Sequence, residues 1–275
     1  MIEATTAATL SPFERLMLIL CGAEKSGKSR TAATARKPVL FHDFDKRREA
    51  LAGIKDVYCL TYIDEARPNI QPTGFQDYLS VLTKLESGYT LKRIGEDFGI
   101  KDWPDVRPKT QVLDSLASCG KCAMAYALYT NKDIRRTIAV GGQQIHFPGG
   151  WDAWNAETES TFSSVMRILA MKDQDIILIF HEAPGEMPDS TAEKPKFNGK
   201  IDLYPGRYRI FNKYFNEVWR VSRETGQQIP TIQVQPDFRF PASTNLDFSK
   251  ITPQQLNPPG GPNIQELIKL VTGKP

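Results

Sequence analysis

The chain has 275 residues, 40% hydrophobic and 24% charged, a composition suited to a globular protein burying one sizeable α/β core. No run approaches the ~20 apolar residues of a membrane span, and Met1–Pro12 lacks the basic start and apolar centre of a signal peptide, so a cytoplasmic location is expected. A formal net charge of +3 does not by itself argue for nucleic-acid contact, so any basic signal has to be local.

Residues 1–14 read as a polar lead-in, and the apolar run Leu16–Cys21 reads as a buried strand. It feeds directly into Gly22-Ala23-Glu24-Lys25-Ser26-Gly27-Lys28-Ser29, which has the G-x-x-x-x-G-K-S spacing of the phosphate-binding loop. Glycines at the two ends let the backbone curl so that successive N–H groups face phosphate oxygens. Lys28 supplies a point charge for the β- and γ-phosphates, and the Ser29 hydroxyl is a hard oxygen ligand for Mg²⁺. The helix-compatible Arg30–Ala35 follows, with its N-terminal dipole toward the phosphates. Strand, loop and helix together predict a site for ATP and Mg²⁺, contacted by Gly22 through Arg30.

Downstream, Pro38–Asp43 and Val57–Tyr62 are short strands by their apolar, β-branched and aromatic content, so the helix between loop and second strand has room for two or three turns. Phe75, Leu79, Leu82 and Leu85 have helical spacing. Residues 89–109 read as a surface insertion in which Trp103-Pro104 and Arg107-Pro108 break any helix. Thr110–Ser115 is the next strand, followed by a helix through Leu128. Residues 137–151, with Gly141-Gly142 and Pro148-Gly149-Gly150, read as a loop. Glu157–Met171 reads as a helix, and Asp175–Phe180 as a buried strand ending at His181-Glu182. A long Pro- and Gly-containing loop spans residues 183–207. Glu217–Val221 and Thr231–Gln235 make an antiparallel pair. The domain is expected to close by residue 257. Pro258-Pro259-Gly260-Gly261-Pro262 is then a linker to a detached amphipathic helix, Asn263–Thr272, suited to a neighbouring subunit or to its own core.

The four cysteines include one C-x-x-C, Cys119–Cys122, without a second pair, and His42, His146 and His181 are scattered. Reduced thiols suit that pattern better than a zinc site.

A second carboxylate narrows the class. Asp114 ends an apolar strand and can hold Mg²⁺ in the Walker B role. Ser115 follows it, whereas DEAD-type helicases, ABC ATPases and most AAA+ motors place Glu there, which counts against those classes. GTPases read guanine with Asn-Lys-x-Asp, and Asn131-Lys132-Asp133 brings the Asp one place early.

Gly22–Ser29, Lys37–Asp45, Leu113-Asp114-Ser115, Ile177–Glu182 and Asn198-Gly199-Lys200, in that order, resemble phage-encoded RecA-like P-loop ATPases of the single-strand-annealing recombination group. The resemblance implies a mostly parallel α/β sheet flanked by helices, with the nucleotide at the carboxyl end of the first strand. It assigns Asp45 to orienting the attacking water, one methylene shorter than the Glu usual there, and His181 to sensing the γ-phosphate. It also implies single-stranded DNA, further copies of the chain and a phage or host single-strand-binding protein as partners. Lys194, Lys196, Lys200 and Arg207, interleaved with Phe197 and Tyr204, fit a single-strand contact in which cations track phosphates and aromatics stack on bases. The Lys/Arg pair that RecA-like oligomers send to a neighbouring site is absent from Phe240–Asn245, which Arg239 and Lys250 flank; either Arg239 substitutes or cross-subunit activation is absent, and slow hydrolysis is then expected. Two functions stay open: an ATPase acting on single-stranded DNA, and a nucleotide-gated interaction module with little turnover.

Overall fold

The computed structural model describes residues 14–62, 71–140, 143–183, 200–201, 211, 213–223, 227–236 and 242–273. In chain order these form β1 (Met17–Gly22), α1 (Lys28–Ala32), β2 (Val39–Asp43), β3 (Val57–Thr61), α2 (Gly74–Glu86), α3 (Leu91–Asp97), β4 (Thr110–Asp114), α4 (Leu116–Thr130), β5 (Arg135–Val140), β6 (Gln143–Pro148) and α5 (Trp151–Ala170). After them come β7 (Asp175–Ala183), β8 (Lys200–Ile201), β9 (Glu217–Ser222), β10 (Thr231–Gln233), β11 (Ser243–Thr244), α6 (Pro253–Leu256) and α7 (Ile264–Thr272).

The main sheet runs β10-β9-β1-β7-β4-β2-β3, with β8 on β7 and β11 on β9. Its strands from β9 to β3 are parallel, and β10, β11 and β8 pair antiparallel at its margins. Strands buried on both faces read as continuous apolar runs, as Met17–Cys21 and Ile176–Phe180 do. Alternate residues still sort to opposite faces. Ile19, Cys21, Leu178 and Phe180 face the layer of α2, α4 and α5, while Leu18, Leu20, Ile177 and Ile179 face α1 and α7. The sheet is therefore covered on both sides. One strand, β7, separates the P-loop strand β1 from β4, which ends at Asp114, and β2 lies beyond. All four end on the same edge.

Four sequence expectations are corrected. The helix after the P-loop is only five residues long. The chain leaves it through tighter turns, in which the Thr34 and Ala35 N–H groups donate to the Thr31 and Ala32 carbonyls, before Pro38 leads into β2. Residues 89–109 contain α3, capped by the Thr90 hydroxyl accepting the Arg93 N–H, with Leu91 and Ile94 buried; Trp103 packs back over Gly95 instead of ending a helix. Residues 137–151 belong to a hairpin, β5–β6, whose Ile138, Ile145 and Phe147 are exposed, so no buried face advertised the strands. Helix α5 begins at Trp151, six residues before the expected start, because its first turns extend over Met124, Leu128 and Ile134.

The C-terminal helix is docked on the chain's own core. Ile264 and Leu267 are buried among Ala32, Ala33 and Ala35, and the Ile264 N–H donates to Thr34 Oγ1 at 2.8 Å. Asn257 anchors the linker by pairing with the backbone of Ile232 on β10 through both of its amide atoms. The expected detachment read the prolines and glycines as a free tether and missed this side-chain clamp.

Candidate nucleotide site

Gly22 and Gly27 are required for different reasons. A Cβ on Gly22 would sit 2.2 Å from the Val221 carbonyl oxygen on β9, so close strand packing selects glycine. Gly27 has φ of +100°, which a side chain would strain. Between them Ala23, Glu24 and Lys25 are exposed, while Ser26 is buried. Arg30, expected among the contact residues, is exposed on α1.

The Lys28 ammonium is buried and donates to the Gly22 and Ala23 carbonyl oxygens at 2.7 and 2.6 Å. Burial pushes its pKa down, partly offset by the fields of Asp114, Glu182 and Asp45. Ser29 Oγ donates to Asp114 Oδ2 at 2.5 Å, so the two expected metal ligands touch across 85 positions of sequence. Burial pushes the Asp114 carboxyl up to about 6, and the nearby charges of Asp45 and Asp43 push the same way. A hydroxyl beside a carboxylate with a single hydrogen-bond donor suits Mg²⁺, which takes few protein ligands and completes its shell with water and phosphate oxygens. Among the described residues no group of three or more His, Cys, Asp or Glu forms an all-protein metal cage.

Asp45 lies just past the end of β2. Asp43 shapes the turn that carries it: Asp43 Oδ1 accepts the Asp45 N–H at 3.0 Å and the Arg47 N–H at 3.3 Å, and Oδ2 accepts the Thr61 hydroxyl. Asp45 Oδ2 accepts from His181 Nε2 at 2.7 Å, and Oδ1 accepts from Ser115 at 3.0 Å and from Ser118. Burial works to raise the Asp45 carboxyl, but the bonds from His181, Ser118 and Ser115 outweigh it and hold the pKa at about 2. His181 stands beside Gly22 in the β1–β7 register, and its Nδ1 is buried with no hydrogen-bond partner among the described residues.

The structure thus brings Lys28, Ser29, Asp114, Asp45 and His181 to one edge. Of the expected nucleic-acid residues, Lys194, Lys196 and Arg207 lie outside the described residues. Lys200 is in β8, its backbone opposite Ala183 at the end of β7. Sequence reasoning missed the roles of Asp43, Ser115 and Ser118. The Ser-x-x-Ser spacing at the start of α4, which puts both hydroxyls on one side of the first turn, is the signal that could have found the serines.

A family model described as "AAA domain" matches residues 14–244. The chain belongs to the AAA domain family. That match corrects the weight given to Ser115 as a mark against AAA-type ATPases. Solved structures similar to this chain include the RadB recombinase, at 14% identity over 82% of this chain and 84% of that one, with a TM-score of 0.40. Another is a KaiC-like protein from the hyperthermophilic archaeon Pyrococcus horikoshii OT3, at 13% identity over 78% and 74%, with a TM-score of 0.38. No curated protein sequence matches the chain. The fold is the mixed α/β architecture expected from the sequence, a mostly parallel central sheet flanked by helices. Among the described residues no helix is long and apolar enough to cross a membrane.

Proposed function

We propose that this chain is a Mg²⁺-dependent RecA-like ATPase that acts on single-stranded DNA, in phage recombination or replication as the sequence resemblance implies, and that it works as a homo-oligomer. The observation that carries the ATPase reading is the meeting of two separate carboxylate systems beside Lys28. One is Asp114 with Ser29, which would hold Mg²⁺. The other is Asp45 with His181, Ser115 and Ser118.

Mg²⁺ held by Ser29 and Asp114 would supply charge neutralisation to the bound phosphates. Lys28 binds those phosphates, and its present carbonyl bonds are exchanged for theirs. Asp45 orients a water in line with the γ-phosphorus. The water oxygen bonds to phosphorus as the bond to the β–γ bridging oxygen breaks, and ADP leaves with that electron pair. A carboxylate held at about 2 is a weak base at neutral pH, so its part is positioning; the proton passes to the phosphate product. His181 keeps Asp45 in place from the next strand but one.

For DNA, support comes from the basic and aromatic residues between Lys194 and Arg207 together with the pairing of Lys200 with Ala183. Ala183 is two residues past His181, so a change at Asp45–His181 has a short covalent route to that segment. A second reading, a nucleotide-gated interaction module with little hydrolysis, is favoured by Phe240–Asn245. It carries no cation, and its Ser243-Thr244 is paired into the sheet against β9. Measuring ATP turnover with and without single-stranded DNA separates the two. Turnover that rises with DNA supports the ATPase; tight ATP binding without turnover in either condition supports the module.

A further inference from the structure

Four polar side chains cross the buried sheet in the order of its strands and lead to the turn that carries Asp45. Gln174 precedes β7, Gln111 is on β4, His42 is on β2 and Tyr62 lies just past β3. Each is at most 3% exposed. His42 and Gln111 stand two positions from Leu40 and Leu113, so they share the face covered by α2, α4 and α5. Apolar side chains fill most of that layer, and polar groups buried in it are costly unless they find partners.

Here they do. Gln111 Nε2 donates to Gln174 Oε1 and, at 3.1 Å, to Met171 Sδ, which turns Gln111 Oε1 toward His42 Nε2 at 3.0 Å. His42 therefore carries its proton on Nε2, and Nδ1 accepts from the Tyr62 hydroxyl at 2.9 Å. Burial lowers the His42 pKa to about 4, so the ring is neutral at neutral pH and one tautomer suits both neighbours.

Tyr62 is fixed at both ends. Its N–H donates to the Asp43 carbonyl at 2.9 Å, and its hydroxyl donates to His42. Between the two, its ring stacks on Phe44, with centroids 4.9 Å and planes 28° apart. Tyr78 of α2 stands edge-on to both Phe44 and His42, each at 5.2 Å. Phe44 is the residue between Asp43 and Asp45, and its N–H donates to the Asp114 carbonyl at 2.6 Å. A shift of the Phe44 ring is thus a shift of the backbone on which Asp45 stands.

We propose that His42 and Tyr62 are positioning residues for hydrolysis: joined by one hydrogen bond, they hold the Phe44 ring and so set where Asp45 stands relative to Ser29 and Asp114. The inference rests on the ATPase reading above and names what places its water-orienting carboxylate. In-line attack depends steeply on that placement, since a displacement of about 1 Å can cost on the order of a hundredfold in rate. Apolar packing alone would keep the Tyr62 ring buried. The directional bond to His42 also fixes its angle over Phe44.

The test uses Tyr62→Phe in the full chain, which keeps the ring and deletes the bond to His42. Turnover is expected to fall roughly tenfold while the affinity for ATP with Mg²⁺ stays within about twofold. The chain has three histidines, so ¹⁵N-histidine NMR follows each ring in the same samples. The His42 signals should move because Nδ1 loses its donor, and the His181 signals should move with them because Nε2 donates to Asp45 Oδ2. His146, on the β5–β6 hairpin, is the internal control and should stay in place. Phe44→Leu removes the stacked ring and leaves the Tyr62 hydroxyl and His42 intact. It should reproduce the turnover loss and the His181 change, so the inference stays testable even if Tyr62→Phe does not fold. If turnover in both variants stays within about twofold of the unaltered protein, or the His42 signals move in Tyr62→Phe and those of His181 do not, the inference is overturned and the ATPase reading stands. Absence of ATP turnover in the unaltered protein, with single-stranded DNA present, overturns both.

Discussion

Asp114 and Asp45 stand at the ends of neighbouring strands of one sheet, and both carboxylates are largely withdrawn from water, yet their surroundings drive them apart. Asp114 has one donor, Ser29, and two like charges nearby, and burial carries it up to about 6. Asp45 has three donors on its two oxygens and sits at about 2 despite burial. The first half of the site is short of hydrogen-bond donors and the second is already satisfied. A carboxylate with few donors has oxygens to offer a cation, and a satisfied one is what a fixed template for water needs.

The largest effect that would break this division is at Lys28. Lys28→Ala removes the ammonium that sits on the loop carbonyls, and triphosphate affinity should fall roughly hundredfold in a protein that keeps its circular dichroism spectrum. Undiminished binding and turnover would place the nucleotide elsewhere. Asp114→Asn comes next. It should weaken Mg²⁺-dependent nucleotide binding roughly tenfold and lower turnover with it, while binding measured with EDTA changes little.

The same contrast predicts a pH dependence. Since Asp114 must be ionised to hold Mg²⁺, the metal-dependent part of nucleotide affinity should fall by roughly tenfold per unit below about pH 6, and the profile of Asp114→Asn should be flatter by up to one proton. Stability of the metal-free protein has the opposite sign. The folded carboxyl holds its proton up to about 6 while the unfolded chain releases it near 3.8, so stability falls as pH rises between those values. Equal slopes in the two proteins would mean that Asp114 is not the titrating ligand. The smallest effect on the chemistry belongs to Leu267, buried in the face of α7 that covers α1. Leu267→Ala should cost about 2–5 kcal/mol of stability by denaturant unfolding and leave the nucleotide affinity of the folded protein unchanged.

Much of the fold was legible because β1 and β7 are unbroken apolar runs that lead to Gly22 and His181, while β2 and β4 carry the shorter apolar stretches Val39–Phe41 and Val112-Leu113 just ahead of Asp43 and Asp114. The pairing of Ser29 with Asp114 follows from the motif alone. The hairpin β5–β6 was harder to read, since its outward Ile138, Ile145 and Phe147 break the half-buried alternation that marks a strand. Its one local signal is Gly141-Gly142, a two-residue spacing that suits a tight hairpin. For α7 the sequence left a neighbouring subunit and its own core both open, and which surface it covers was not legible. Its own sequence says amphipathic, but the surface it covers is made of alanines about 230 positions away. The donors around Asp45 escaped notice for the same reason: Ser115, Ser118 and His181 converge only once β4 and β7 are placed side by side.

Asp45→Asn tests the division of labour most directly, with ATP affinity and turnover measured on the same preparation. The substitution removes the charge that orients water and leaves Ser29, Asp114 and Lys28 untouched. Affinity should stay within about twofold while turnover falls by roughly a hundredfold or more. If affinity falls as far as it does in Asp114→Asn, or turnover survives, Asp45 is not the water-orienting carboxylate and the two halves of the site do not have separate roles.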